Sequence, residues 1–391
     1  MYALIVTVFI DTIGFGIVLP LLPLYAQDIG ASPELVTLVA ASFTCGQALF
    51  GPFWGWLSDR IGRKKVLIIT VFGTACAYIL LAFTTKLWVL FLVRFFGGAM
   101  AANMGVANAL VADITSPQDR TKNLAKLSSA AGLGFVAGPA IGGLLAGFEF
   151  RGSVFLLPYL VAALFSFVAL FLVLKIVKDV SPIENKIERE STTILNSWKN
   201  VLTNSQTRLL LFLMLAPPFV FAGIEVIIVL WSERLWGWGP IENGYFYAWM
   251  GASHVLIQWF LIGPLAKLLG ERMLVTLGAL SLCVGAVCMP LASAEFQLYI
   301  AAALMILGTA SSSAALSSLL SIHADSQNRG SVLGLGQAFA GMGRIGGPAL
   351  SGVVFVLLGV DWPFYFGALV MVFMCFASRL ILVRRATELC D

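Results

Sequence analysis

Charge is what this sequence has least of. Only 11% of its 391 residues are Asp, Glu, Lys or Arg, where soluble domains carry about 25%. With 59% hydrophobic residues and a mean hydropathy of +0.94, the chain reads as an integral membrane protein. Histidine is almost absent, at two residues, and the six cysteines show no metal-ligand spacing. Cys45, Cys76, Cys283, Cys288 and Cys375 fall inside apolar runs and Cys390 in the tail, as small packing residues in a reducing or neutral setting would. No metal and no resident cofactor is expected. The chain has no Gly-x4-Gly-Lys-Ser/Thr loop, which excludes P-loop ATP-driven pumping. It shows no nucleophile–base–acid constellation either, so it is not read as an enzyme. The net charge of +4 points to no nucleic-acid partner, because the cations follow membrane topology. A basic leader and a small-residue cleavage site are also missing, and residues 1–26 read as a retained first helix.

What the sequence has is long apolar runs. Runs of about 20 residues are the length of membrane helices, whereas barrel strands alternate in polarity over about 10. Hydropathy predicts twelve spans at 3–26, 35–57, 65–84, 87–112, 122–148, 153–175, 207–232, 241–266, 273–293, 296–320, 330–358 and 362–383. With the N-terminus inside, 19 of the 24 Lys and Arg face the cytoplasm, three (Lys86, Arg151, Arg234) face outward, and Arg94 and Arg344 lie within spans. The expected product is a multi-pass protein of the plasma (inner) membrane with both termini cytoplasmic, working in the lipid bilayer as a monomer. Residues 176–206 are polar and too short for a domain. They read as a cytoplasmic linker, with a short surface helix near Ser197–Leu202, between an N-terminal six-helix half (1–175) and a C-terminal one (207–391).

The halves repeat. Arg120 to Arg329, Gly138-Pro139 to Gly347-Pro348 and Gly143 to Gly352 are all steps of 209. Gly55-x-Leu57 and Gly62 recur at Gly263-x-Leu265 and Gly270, a step of 208. The second copy loses its charge pattern, since Asp59 corresponds to Lys267. Parallel six-helix repeats are an architecture of secondary transporters.

Polar residues inside the spans are candidates for chemistry, because each is expensive in lipid. Asp11 lies about 12 Å in from the cytoplasmic end of span one. A carboxylate there must be paired, protonated or facing water, and it reads either as a proton carrier or as a structural hydrogen bond. Glu225 is the acid well inside the second half, in the outer part of span seven, and is a second candidate for protonation or for binding a cationic substrate, or is simply solvated. Arg94, about 9 Å from the outer end of span four, needs a carboxylate or several carbonyls, and Asn108 falls near the same face. Tyr247, His254 and Gln258 follow one helix face of span eight and are expected to line a central substrate cavity. Arg344, before Gly347-Pro348, is expected to pair with a carboxylate or a helix end. Gly134, Gly138, Pro139, Gly142 and Gly143 predict a kinked span five with a smooth face that another helix approaches closely.

The loop Gly55-Trp-Leu-Ser-Asp59-Arg60-Ile-Gly62-Arg63-Lys-Lys packs cations between two apolar runs, with glycines suited to a tight turn and to close helix approach. Its pattern resembles the loop 2–3 signature of the major facilitator superfamily of secondary transporters. The Gly134–Gly143 pattern resembles the antiporter signature of that superfamily. The span-one pattern around Asp11, the Ala-Asp113 helix end and His254-x-x-x-Gln258 look like the bacterial tetracycline:proton antiporters. The resemblance implies an all-α major facilitator fold of twelve transmembrane helices. It further implies a proton-coupled exporter whose partners are a small amphipathic organic substrate and protons. It links Arg94 to proton coupling. It also makes Gly55, Asp59, Arg60, Gly62, Arg63, Asp113 and Arg120 a cytoplasmic conformational latch. One departure stands out: those exporters carry an acid before the Tyr of span three, and this chain has Ala77 before Tyr78, which implies a different substrate. A uniporter or importer of a sugar, siderophore or metabolite on the same fold is the alternative. A non-transporting scaffold or sensor is another, although a scaffold has no need of Asp11 and Arg94 in lipid.

Overall fold

A computed structural model describes residues 2–148, 153–176, 204–324 and 329–381, and its architecture is helical. Most of the expected linker, with its short helix near Ser197–Leu202, lies outside the described residues. The first six apolar runs form α1 (Tyr2–Asp28), α2 (Pro33–Ile61), α3 (Arg63–Ala82), the pair α4 (Leu87–Met100) and α5 (Met104–Ile114), α6 (Pro117–Ala146) and α7 (Leu156–Lys175). The remainder form α8 (Ser205–Trp236), α9 (Pro240–Leu256), a π-helical turn (Ile257–Leu261), α10 (Ile262–Leu291), α11 (Glu295–His323), α12 (Arg329–Leu357) and α13 (Trp362–Ser378).

Start signals are legible in sequence. Pro33 and Pro117 open their helices, where a missing N–H leaves no bond unmade, and the Ser116 hydroxyl accepts from the Asp119 N–H to cap α6. Ten stretches of the described chain are long and apolar enough to cross a membrane, and the 17-residue α13 is a shorter apolar helix.

One feature departs from the hydropathy reading. Span four is broken at residues 101–103. There the Asn103 side chain donates to Thr70 Oγ1 at 3.4 Å, the kind of side-chain bond that competes with helix. Spans eight and nine lie within one apolar stretch, Pro240–Leu291, of 52 residues, and the backbone parts between them. A bilayer core takes only about 20. The stretch is interrupted at Gly270, where φ is 73° and ψ 161°.

The sequence repeat recurs as local geometry. Gly62, the sole residue between α2 and α3, has φ 102°, so both it and Gly270 occupy backbone space that disfavours a Cβ. At the start of α3, Lys64 Nζ donates to the Leu174 carbonyl at 3.1 Å, at the end of α7. Past Gly270, Arg272 donates likewise to the Arg379 carbonyl at the end of α13. A Cβ added at Gly138 would lie 2.6 Å from Gly16 Cα, and one at Gly343 would lie 3.0 Å from the Phe219 N. The Gly-Pro segment of α6 thus seats on α1, and that of α12 on α8. Small residues allow such backbone approach, which drives helix association where lipid offers no hydrophobic gain.

By packing, the chain falls into two compact units. The first is Met1–Asn185 with Glu225–Val255 and Pro348–Val360. Within it, a Cβ on Gly143 would meet the Pro240 carbonyl at 2.8 Å, and one on Gly352 would meet Glu34 Cα at 2.9 Å. Its core near the Gly62 loop gathers Leu4, Trp54, Val66, Leu110, Leu127 and Val173. The second unit is Lys186–Ile224, Leu256–Gly347 and Asp361–Asp391. There α10 lies on α11 through Gly278, Gly285 and Gly308 and reaches α13 through a 2.7 Å Thr276–Ser378 hydroxyl pair.

Candidate functional site

The first unit holds a buried polar cluster. Gly14, one turn beyond Asp11 on α1, brings three helices together: a Cβ there would lie 3.2 Å from the Ala162 carbonyl and 3.3 Å from Tyr78 Cε2. The convergence sets Asp11 beside Asn103 and Ser166, although Asp11 Oδ1 and Ser166 Oγ are buried short of hydrogen-bond geometry with any group. The rest of Asp11 keeps partial exposure. Tyr78 on α3 is buried and interacts electrostatically with both Asp11 and Arg94.

Arg94 is buried at 5% exposure, and among the described residues no carboxylate forms an ion pair with it. Its guanidinium instead lies 4.3 Å from the Phe43 ring centroid, a cation–π contact, with Tyr78 and Tyr159 as its electrostatic neighbours. This corrects the expected carboxylate or carbonyl partner. An aromatic face desolvates a guanidinium at less cost than bare lipid, because Arg is weakly hydrated. Gly98, one turn further along α4, makes the contact possible: a Cβ there would lie 2.9 Å from Phe43 Cα. Tyr159 on α7 packs edge-to-face on Tyr25, with centroids 5.2 Å apart. The Tyr25 hydroxyl donates to the carbonyls of Leu81, at 3.0 Å, and Thr84.

The other expected residues are dispersed. Asn108 lies on α5, beyond the break, and is exposed where Arg94 is buried. Tyr247 is buried, and its hydroxyl donates to the backbone carbonyl of Glu225, so these two are brought together. His254 is exposed on α9, and Gln258, also exposed, belongs to the π-helical turn. Such wide turns are frequent at functional sites. Arg344 is exposed on α12.

At the Gly62 loop, Arg63 is the hub. Its Nη1 contacts Asp59 Oδ1 at 2.5 Å and donates to Ser58 Oγ at 2.5 Å, and its Nε donates to Asp113 Oδ2 at 3.1 Å. Arg60 stacks on Trp56 at 4.0 Å, and Arg120 donates to the Ala112 carbonyl at 3.1 Å. Gly55 departs from expectation, for a Cβ there would meet nothing within 4 Å, so no helix approaches it closely. Its carbonyl accepts the Ser58 hydroxyl instead. In the span-five motif, Gly134 and Gly142 are also seated against α1.

Sequence reasoning missed Asn103, Ser166, Tyr159 and Tyr25, and met Tyr78 only as a neighbour of Ala77. A tyrosine or serine in an apolar helix looks like packing until the fold sets it beside Asp11 and Arg94. Ala77 itself is buried and borders a small cavity with Tyr78, Arg94 and Gly97.

The Major Facilitator Superfamily model matches residues 4–259 and 237–389. The chain belongs to the Major Facilitator Superfamily. This superfamily member is similar to tetracycline resistance protein, class B, of Escherichia coli, at 28% identity over 90% of this chain and 87% of that protein. It is similar to multidrug resistance protein 2 of Bacillus subtilis strain 168, at 28% over 94% and 92%, and to quinolone resistance protein NorA of Staphylococcus aureus strain Mu50, at 25% over 93% and 92%. Its fold is shared by the nucleoside transporter NupG, with a TM-score of 0.81 at 15% identity over 98% of this chain and 99% of that one. A bacterial homolog of the human lysosomal transporter Spinster, inward-facing and occupied, gives 0.82 at 13% over 97% and 95%. This Major Facilitator Superfamily chain is therefore a multi-pass membrane transporter and not an enzyme.

Proposed function

We propose that the chain is a proton-coupled exporter of small amphipathic organic compounds, working by alternating access as a monomer in the bacterial inner membrane with both termini cytoplasmic. Relatives named for tetracycline, multidrug and quinolone resistance support the export direction. The observation that carries the proton half is Asp11, a membrane carboxylate with one oxygen turned into a buried cluster and the residue still partly exposed. Such a group can take a proton in one state of the transporter and lose it in another.

Ten long apolar stretches, one of them parted at Gly270, together with the shorter α13, support the reading of twelve spans. Residues 1–175 and 207–391 then form the two six-helix halves, joined by the 176–206 linker. The cation bias sets the Gly62 loop in the cytoplasm and the Tyr25 end of α1 outside. Arg63, held between Asp59 and Asp113, acts as a cytoplasmic latch that must remake its bonds as the halves rock. Arg94 holds the proton cluster together. Glu225 is a second proton-coupling carboxylate, and Tyr247 with the exposed Asn108, His254, Gln258 and Arg344 are the residues that meet substrate. Ala77, in place of an acid beside Arg94, favours a cargo other than tetracycline.

The test is transport in proteoliposomes with an imposed pH gradient, using ethidium, norfloxacin and tetracycline as probes. Gradient-driven movement of ethidium or norfloxacin that collapses with a protonophore is the expected result. Cells expressing the chain that accumulate more of these probes than control cells would overturn the export direction.

A further inference from the structure

A carboxylate fed with protons only through a substrate cavity needs no polar groups behind it. Behind Asp11, four polar atoms are buried without hydrogen-bond partners in one neighbourhood: Asp11 Oδ1, Ser166 Oγ, Arg94 Nε and Tyr159 Oη. Protein interiors leave few such atoms, and several together mark a place that holds water or passes charge. Arg94 and Tyr78 also border a cavity of about 10 Å³, roughly the room one water needs. Tyr159 interacts electrostatically with Arg94 on one side and with Tyr25 on the other. Tyr25 continues the row to the end of α3, through its bonds to the Leu81 and Thr84 carbonyls, and interacts there with Asp28 at the end of α1. The row therefore runs as a line of neighbouring side chains, with gaps between their polar atoms, from the Tyr25 end of the first unit to Asp11.

We propose that these side chains, with interposed water, form a proton entry path buried inside the first six helices, from Tyr25 through Tyr159, Arg94 and Tyr78 to Asp11. The proposal rests on the reading of Asp11 as the proton carrier. Each of the three phenols passes its hydroxyl proton inward as it accepts another from the outer side, so none of the tyrosines ends with a changed charge. The proton ends on Asp11, where a carboxylate becomes a carboxylic acid. Arg94 keeps its own proton throughout. Its Nε orients the bridging water, and its fixed charge disfavours a hydronium resting in the cluster, so the proton moves on to the acid. The path is buried, whereas Asn108 and His254, assigned to substrate, are exposed. Protons and cargo thus enter by different doors.

The experiment uses the full chain in liposomes in a single orientation, with only the Tyr25 side acidified by rapid mixing. Time-resolved infrared spectroscopy follows the carboxylic C=O band that Asp11→Asn abolishes, and it needs no substrate. Tyr25→Phe and Tyr159→Phe keep the ring packing and remove the hydroxyls. Each is expected to slow the rise of the band by about tenfold or more, as loss of a proton-transfer group does, with the final amplitude unchanged. Tyr245→Phe, at an exposed site, should match the wild type. Wild-type rise times in both variants would overturn the path while leaving the carrier reading intact. Absence of an Asp11 band in the wild type would overturn both. If Tyr159→Phe fails to fold, the Tyr25→Phe rate alone decides.

Discussion

The guanidinium of Arg94 lies over the Phe43 ring, 4.3 Å from its centroid, and Gly98 is the residue that lets them meet. With a Cβ at Gly98, α4 would be pushed off α2, because the atom in the way is backbone, Phe43 Cα at 2.9 Å. The Arg-x-x-x-Gly spacing is therefore a packing device. The glycine sets the helix separation at which a membrane-buried cation finds an aromatic face.

It follows that Arg94→Lys should fold and yet fail. A lysine ammonium is a strongly hydrated point charge that cannot lie flat on the ring or hold water through a planar Nε. Gradient-driven transport is expected to fall at least tenfold. Arg94→Ala should lose, in addition, about 2 kcal/mol of stability, the size of a desolvated cation–π contact. Initial rates in proteoliposomes and thermal unfolding in detergent separate the two effects.

Glycines in this chain divide by what stands opposite them. Gly138→Ala should cost about 1–3 kcal/mol, because its methyl would press on the backbone of α1 at Gly16 and Ile13. Gly51→Ala, inside α2 with nothing within 4 Å, should be neutral or stabilising by up to about 1 kcal/mol. Parallel thermal melts of the two variants check the contrast.

Gly62 and Arg63 act as one unit at the loop. Gly62→Ala should destabilise by about 1–2 kcal/mol, since φ 102° presses a Cβ into backbone. Arg63→Ala should shift stability by under about 1 kcal/mol, because Asp59 and Asp113 are 63% and 25% exposed. It should nonetheless slow transport several-fold. Arg63→Lys should rescue little, because one ammonium cannot span Asp59, Ser58 and Asp113 as the guanidinium does. Melting temperature and transport rate measured on the same preparations give the comparison.

The helices were legible from hydropathy because lipid requires each run to satisfy its own backbone. The repeat was legible too, and Gly62 and Gly270 share left-handed backbone as their spacing implies. The break at 101–103 was not visible, since Asn103 reads as one more polar residue until Thr70 is seen beside it. The stripe of Tyr247, His254 and Gln258 assumed regular helix, whereas Gln258 falls in a π-helical turn. Asp11 and Arg94 stood out because charge in lipid is rare. Tyr78, Tyr159 and Ser166 did not, because the property that matters is their position across three helices, which no local pattern encodes.

The central claim is that protonation of Asp11 is coupled to substrate. Its most direct measurement is substrate-induced proton release from the purified full chain in lightly buffered detergent solution, read with a pH dye on addition of ethidium or norfloxacin. The wild type is predicted to release protons on binding, and Asp11→Asn to bind the same probe without release. Proton release from Asp11→Asn equal to that of the wild type would contradict the account.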